Sequence, residues 1–235
     1  MTGFADEFAT AVTMIGQMDR RLAEIIVLSL RVSLSAVALA ALIGMPLGAI
    51  LALTRFPGRQ GIAVLFNVLM GLPPVVVGLI VYLMLSRSGP LGVLGLLFSP
   101  TAMIIAQVIL VTPIIVSLTR ETIGPLSQEY GETFASLGTR RHQALGALLW
   151  DGRFLLVTAL LAGFGRATAE VGAVMIVGGN IDHVTRVMTT AIALESSKGN
   201  LALALGLGII LIALSLAINI AVYGVRLYGE AKGAA

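Results

Sequence analysis

At 235 residues and 24.4 kDa the chain has the length of one or two soluble domains. Its composition excludes them: 57% of residues are hydrophobic, 11% are charged and the mean hydropathy is +1.00, whereas an average globular protein needs about 25% charged residues to cover its solvated surface, so the solvent here is lipid. Disorder, nucleic-acid binding and, with no cysteine present, disulfide scaffolds and thiol chemistry fall as well, and a net charge of +3 bears on orientation in a membrane rather than on a polyanionic partner.

Residues 1–21 do not read as a secretory signal, because Asp6 and Glu7 stand where a positive region belongs and the apolar stretch that follows is too long. They read as a short amphipathic lead-in. The uncharged runs 32–53, 60–86, 88–119 and 199–225 each exceed the roughly 20 residues that cross a hydrocarbon core. Together with a fifth span broken by Arg166 and Glu170, they predict helices at about 24–53, 62–86, 101–120, 154–178 and 200–226. The expectation is an all-α integral membrane protein with a transmembrane domain over 22–228 and a tail at 229–235. An odd number of spans puts the two termini on opposite sides.

Lysine and arginine set the orientation. Arg55, Arg59, Arg120, Arg140, Arg141, Arg153, Arg226 and Lys232 fall on one side of such a bundle, and Arg20, Arg21, Arg87, Arg186 and Lys198 on the other. The excess predicts the N-terminus outside and the C-terminus inside, with Trp150, Tyr223 and Tyr228 as anchors at the cytoplasmic interface. Gly44 and Gly48 form a small-xxx-small pair that either draws the first span against a neighbour or reflects the general frequency of glycine in membrane helices. Pro73-Pro74 and Pro113 remove backbone donors, and kinks there either line a pathway or serve packing.

Several chemistries are missing. Neither lysine, Lys198 or Lys232, follows a Gly-x-x-x-x-Gly, so a phosphate-binding loop is absent and this chain does not hydrolyse ATP by that route. His142 and His183 fall in different loops without a second ligand at helical spacing, so neither a metal nor any other cofactor of this chain's own is expected. No nucleophile–base pair is apparent either, and an enzyme is not expected.

The segment 121–150 is longer than a simple re-entry loop needs. An amphipathic run at 126–137 is stopped by Gly138, and after a basic turn a second helix is expected at about 141–149. Two short helices at a membrane surface suit docking. Within them Glu132-Thr133-Phe134-Ala135-Ser136-Leu137-Gly138 resembles the Glu-Ala-Ala-x-x-x-Gly signature of the permease subunits of binding-protein-dependent ABC importers, with Thr133 and Phe134 in place of the alanines. The resemblance implies a type I importer permease fold, and a coupling helix in which Glu132, Phe134, Ala135, Leu137, Gly138, Arg140 and Arg141 meet a separate ATPase.

The fourth span extends the resemblance. Phe164-Gly165-Arg166-Ala167-Thr168-Ala169-Glu170-Val171-Gly172 is similar to the Phe-x-Arg-x-x-x-Glu-x-Gly core of the molybdate, tungstate and sulfate permeases, and the sequence from Glu170 through Asn180 to Glu195 most resembles the tungstate-transport permeases. Read as residues alone, Arg166 and Glu170 are charges near mid-span that must face protein or water. On a continuous helix they share a face and can pair. Mutual neutralisation, a gate in the pathway and direct anion contact by Arg166 all stay open. Gly172, Pro73 and Pro74 join them as pathway candidates. In the following segment, Asn180, Asp182, Arg186 and Lys198 either contact a soluble binding protein or belong to an ordinary connection.

The resemblance thus implies an ATP-driven oxyanion importer, tungstate first, acting as a homodimer with two ATPase copies and a periplasmic or lipid-anchored binding protein in a prokaryotic inner membrane. ATP is bound by the partner subunit. Molybdate or sulfate import, or an ion-coupled secondary transporter or channel, remain the alternatives.

Overall fold

A computed structural model describes residues 4–17, 20–54 and 56–233. Arg55 and parts of the lead-in and tail (1–3, 18–19, 234–235) lie outside them. The described residues form eleven α-helices and one 3-10 turn, with no strand. In chain order they are α1 Phe4–Gln17, α2 Arg20–Leu53, α3 Arg59–Met70, α4 Pro74–Leu85, α5 Pro100–Glu129, α6 Gly131–Ser136, α7 Arg141–Asp151, α8 Arg153–Thr168, α9 Gly172–Gly178, α10 Met188–Lys198 and α11 Leu201–Gly233, with the 3-10 turn at Gly92–Leu94. Three stretches, Arg20–Leu53, Pro100–Glu129 and Leu201–Gly224, are long and apolar enough to cross a membrane. Counting the bent pairs α3 with α4 and α7 with α8 as one span each raises the number to five.

Two expected spans are broken, for different local reasons. The run 62–86 divides at Gly71-Leu72-Pro73. Pro73 precedes another proline and is therefore pushed to extended backbone (φ −64°, ψ 121°), while Pro74 opens α4 at the position where a missing N–H costs nothing. The run 154–178 divides at 169–171, and Val171 (φ −115°) separates α8 from α9. In the opposite sense α5 continues beyond the expected end at 120, through Arg120 and Glu121 to Glu129. Its packed stripe does not stop at the charges: Thr119 and Ile123 are wholly buried.

The chain divides into two compact units. One comprises Met1–Ser35, Pro73–Gln107 and Thr168–Ile218; the other comprises Ala36–Leu72, Val108–Ala167 and Asn219–Ala235. In the first, Leu22 and Ile25 of α2 pack with Met188 and Ala191 of α10 and Leu207 of α11. Here α4 lies against α9 so closely that a Cβ at Gly78 would sit 2.7 Å from the Ala173 Cα.

The second unit is built on α5. A Cβ at Gly44 would lie 2.9 Å from Ile115 Cγ2, one at Gly48 2.5 Å from the Val116 carbonyl oxygen, and one at Gly163 2.9 Å from Val111 Cγ1. Of the two readings of Gly44 and Gly48, close helix approach is the one observed. Ala49, Ala52, Ile123, Leu148 and Leu156 form the core below. Arg59 donates from Nε to the Leu51 carbonyl (2.6 Å) and from Nη2 to the Ala52 carbonyl (3.3 Å), capping the end of α2. In each unit large apolar side chains face outward, Ile212 at 70% exposure in the first and Leu42 at 73% in the second, which a lipid solvent accommodates.

Candidate functional site

The docking candidates lie in the second unit. Between α5 and α6 the chain turns at Tyr130, whose ring packs on Phe134 with centroids 5.9 Å apart. Both join the core around Ile123 and Leu148. The Asp151 carboxylate, hydrogen-bonded to the Tyr130 hydroxyl, pushes that phenol above the ordinary tyrosine range. Phe134 is thus the inward anchor of α6, and Glu132, Ala135, Leu137 and Gly138 are exposed. Glu132 stands in the first turn of α6, where a negative charge suits the helix dipole. Gly138 adopts φ +60°, a left-handed turn that glycine accepts without steric cost.

Past that turn Arg140 precedes α7, its backbone N–H donating to Gln143 Oε1 at 3.1 Å. Arg141 opens α7, and its side chain is not among those described. A polar groove of about 420 Å³, lined by Arg59, Ser127, Gln128 and Glu132 among others, borders α6. Between α7 and α8 the axis bends by 79°. There the Arg153 guanidinium lies over Trp150 at 4.7 Å and Phe154 at 4.5 Å, and donates to the Trp150 carbonyl at 2.6 Å. This surface is a short helix held by one aromatic residue, presenting an acid, an exposed leucine and basic residues.

The pathway candidates are positioned by the helix breaks. Arg166 lies in the last turn of α8, half-buried. α8 ends at Thr168, so Arg166 and Glu170 do not lie on one continuous helix. Glu170 instead occupies the break in the first unit, 4% exposed. Its Oε1 accepts the Ala173 N–H at 3.0 Å and its carbonyl accepts the Thr189 hydroxyl at 2.9 Å. The carboxylate therefore satisfies a free N–H at the start of α9.

Gly172 opens α9 against the start of α4: a Cβ there would meet Val75 Cγ2 at 2.8 Å. Glu170, Gly172, Pro73 and Pro74 are thus brought to one place, where two helices begin side by side.

The segment after α9 is strapped to the first turns of α2. Gly179, Asn180 and His183 all have positive φ (70°, 50° and 59°), and Thr185 braces the turn by donating to the Gly178 carbonyl and accepting the Ile181 N–H. Arg21 Nη2 lies 2.6 Å from Asp182 Oδ2, His183 Nδ1 lies 2.6 Å from Glu24 Oε2, and the Met188 N–H donates to Ser29 Oγ at 2.7 Å. Arg186 Nη1 reaches Asp182 Oδ1 at 2.9 Å. Burial acts to raise Asp182, but Arg186, Arg21 and His183 outweigh it and hold the carboxyl below its ordinary range.

Of the residues expected to face a binding protein, Asn180, Asp182 and Arg186 lie in this knot. The Arg186 side chain is only 11% exposed, and the Asn180 amide donates to the Thr190 carbonyl. Lys198 ends α10, half-exposed, and pairs with Glu195 at 3.1 Å. The Lys198 ammonium and the Asn200 amide hold Glu195 below the ordinary glutamate range. Sequence reasoning missed the partners Arg21, Glu24 and His183. The spacing of Arg21 and Glu24 on α2 carried a signal, since 21, 24 and 25 recur toward 28 and 29 on one helical face.

Comparison with known proteins gives the family. Residues 44–227 match the family described as the binding-protein-dependent transport system inner membrane component. The chain is 45% identical over 186 residues to a probable anion ABC transporter permease protein of Haloferax volcanii, covering 77% of this chain and 80% of that one. It is 38% identical over 226 residues to the tungstate uptake system permease protein TupB of Peptoclostridium acidaminophilum, covering 96% and 99%. To the molybdenum transport system permease protein ModB of Azotobacter vinelandii it is 27% identical over 169 residues, 64% of this chain and 70% of that one. With a family match over most of its length and an all-helical, apolar architecture, the chain belongs to the inner membrane components of binding-protein-dependent transport systems, which are ABC importer permeases and not enzymes.

Proposed function

We propose that this permease carries an oxyanion, tungstate first, from a periplasmic or lipid-anchored binding protein to the cytoplasm. It does so as a homodimer driven by two copies of a separate ABC ATPase, and it needs no cofactor of its own. The choice of tungstate rests on the relative aligned across 96% of the chain, a tungstate uptake permease. The observation that carries the mechanism is the exposed α6 and its turn. Glu132 and Leu137 project into solvent, Leu137 at 73% exposure, while Phe134 ties the helix to the core that holds the end of α2 and the start of α8. Force on such a helix is transmitted to the bundle through packed side chains rather than through a mobile loop. Ala135, Gly138, Arg140 and Arg141 complete that surface.

The paired starts of α4 and α9, with Glu170, Gly172, Pro73 and Pro74, are the proposed gate, and Arg166 is a pathway candidate of the second unit. The Glu170 carboxylate already occupies the start of α9, which suits a gate rather than a seat for the anion. The charge asymmetry supports an N-terminus outside and a C-terminus inside. On the outer side Lys198 is the more available contact for the binding protein, with Asn180, Asp182 and Arg186 shaping the loop behind it.

The test is reconstitution with the ATPase and binding protein in vesicles. Glu132→Arg should reduce ATP-driven tungstate uptake to the level seen without ATP, while the protein still inserts as a dimer. Undiminished uptake would remove the docking assignment.

A further inference from the structure

We propose that the first turns of α2 and the loop after α9 form a binding site for the headgroup of an anionic phospholipid, with Arg31 holding its phosphate. The two elements enclose a pocket of about 380 Å³, whose walls include Ala23, Val27, Arg31, His183 and Arg186. Four arginines line it, but three are committed: Arg20 to Glu24, and Arg21 and Arg186 to Asp182. Arg31 is exposed and, among the described residues, makes no ion pair or side-chain hydrogen bond. Against the four arginines stand two carboxylates, Glu24 and Asp182, so the lining is cationic, and Arg31 is the cation left open to a phosphate.

Depth points the same way. The uncharged run of α2 begins at Val32 and ends at Leu53, about 33 Å along a helix, against a hydrocarbon core of about 30 Å. Arg31 thus stands at the boundary where lipid phosphates lie. Arg20 is about 16 Å farther along the axis, clear of the headgroups. Residues 20, 24, 27 and 31 recur on one face of the helix. Between the charges that face is apolar, with Val27 63% exposed. A cation at phosphate depth beside an apolar wall and a polar loop suits a molecule charged at one point and apolar beyond it. A free oxyanion would gain nothing from Val27.

The experiment is native mass spectrometry of the full-length chain released from detergent, titrated with phosphatidylglycerol and with phosphatidylcholine. The chain should retain phosphatidylglycerol about fivefold more strongly, the worth of one arginine near an anionic lipid surface. Arg31→Gln should erase that preference, Arg31→Lys should keep most of it, and Arg87→Gln, an exposed arginine outside the pocket, should leave it intact. Circular dichroism of each variant establishes that the helices persist. A preference unchanged in Arg31→Gln, or lost equally in Arg87→Gln, overturns the proposal. Displacement of the lipid by millimolar inorganic phosphate or tungstate also overturns it, because the pocket would then be a free-oxyanion site.

Discussion

Glu170 combines burial with a defined bond. Its carboxylate takes the Ala173 N–H at the start of α9, and its own carbonyl takes the Thr189 hydroxyl, so it ties a helix start to α10. A side-chain cap of this kind contributes about 1–2 kcal/mol. Glu170→Ala should lose that amount, whereas Glu170→Gln keeps an acceptor oxygen and should lose less than half, as thermal unfolding in detergent would show. Equal losses would mean that the charge, and not the cap, is what matters. Asp182 tests the strap in a different way. Its folded pKa is depressed, so the stabilisation it brings is complete above the ordinary aspartate range and disappears only as pH falls through the lower folded value. The difference in Tm between the wild type and Asp182→Asn should therefore be fully present at about pH 5 and shrink only in stronger acid. A difference that already shrinks at neutral pH would place the strap's titration on another group.

At the scale of elements, helix approach is governed by missing side chains. Gly48 faces the Val116 carbonyl oxygen at a distance no Cβ can share, and that oxygen belongs to backbone, which cannot swing aside. Gly48→Ala should cost about 1–3 kcal/mol by forcing α2 off α5. Gly61, in α3 with open space around it, should tolerate alanine or gain up to about 1 kcal/mol from helix propensity. Melting the two variants in parallel separates packing from propensity, and equal effects would discard the close-approach reading. The all-helical class and the apolar spans were legible in the sequence because burial in lipid demands uncharged length. The breaks were not. Hydropathy does not register backbone direction, so Pro73-Pro74 read as a kink within a span rather than as the start of α4. The division at 169–171 was marked only by the charge of Glu170, which interrupts hydropathy without announcing a change of backbone direction. That unseen break also hid the cap made by Glu170, since spacing arguments assume a continuous helix. The end of α5 was placed early for the opposite reason: Arg120 and Glu121 looked like a water boundary, while Ile123 remained wholly buried beyond them.

At the scale of the whole molecule the question is which loops share a side of the membrane. The site residues fall into two sets by sequence. The coupling surface follows α5, and the strapped loop with α10 precedes α11, with the stretch from α8 to α9 between them. Three helices are long enough to cross unaided, and the total reaches five only if the bent pairs also cross. The sidedness of 136 against 197 therefore depends on whether the α8 region spans. The charge asymmetry argues that it does: Arg140, Arg141 and Arg153 precede it, and between it and α11 lie only Arg186 and Lys198, both paired with carboxylates. Because the chain has no cysteine, single thiols report without any prior removal, and both Ser136 and Ser197 are exposed. Ser136→Cys should react with an impermeant maleimide only after cells are opened, and addition of the ATPase should protect it. Ser197→Cys should react when the outer membrane alone is permeabilised. Labelling of both from one side would mean that the α8 region does not cross. Labelling of Ser136→Cys from outside would invert the coupling surface, leaving an importer with its docking helix away from the only compartment that supplies ATP.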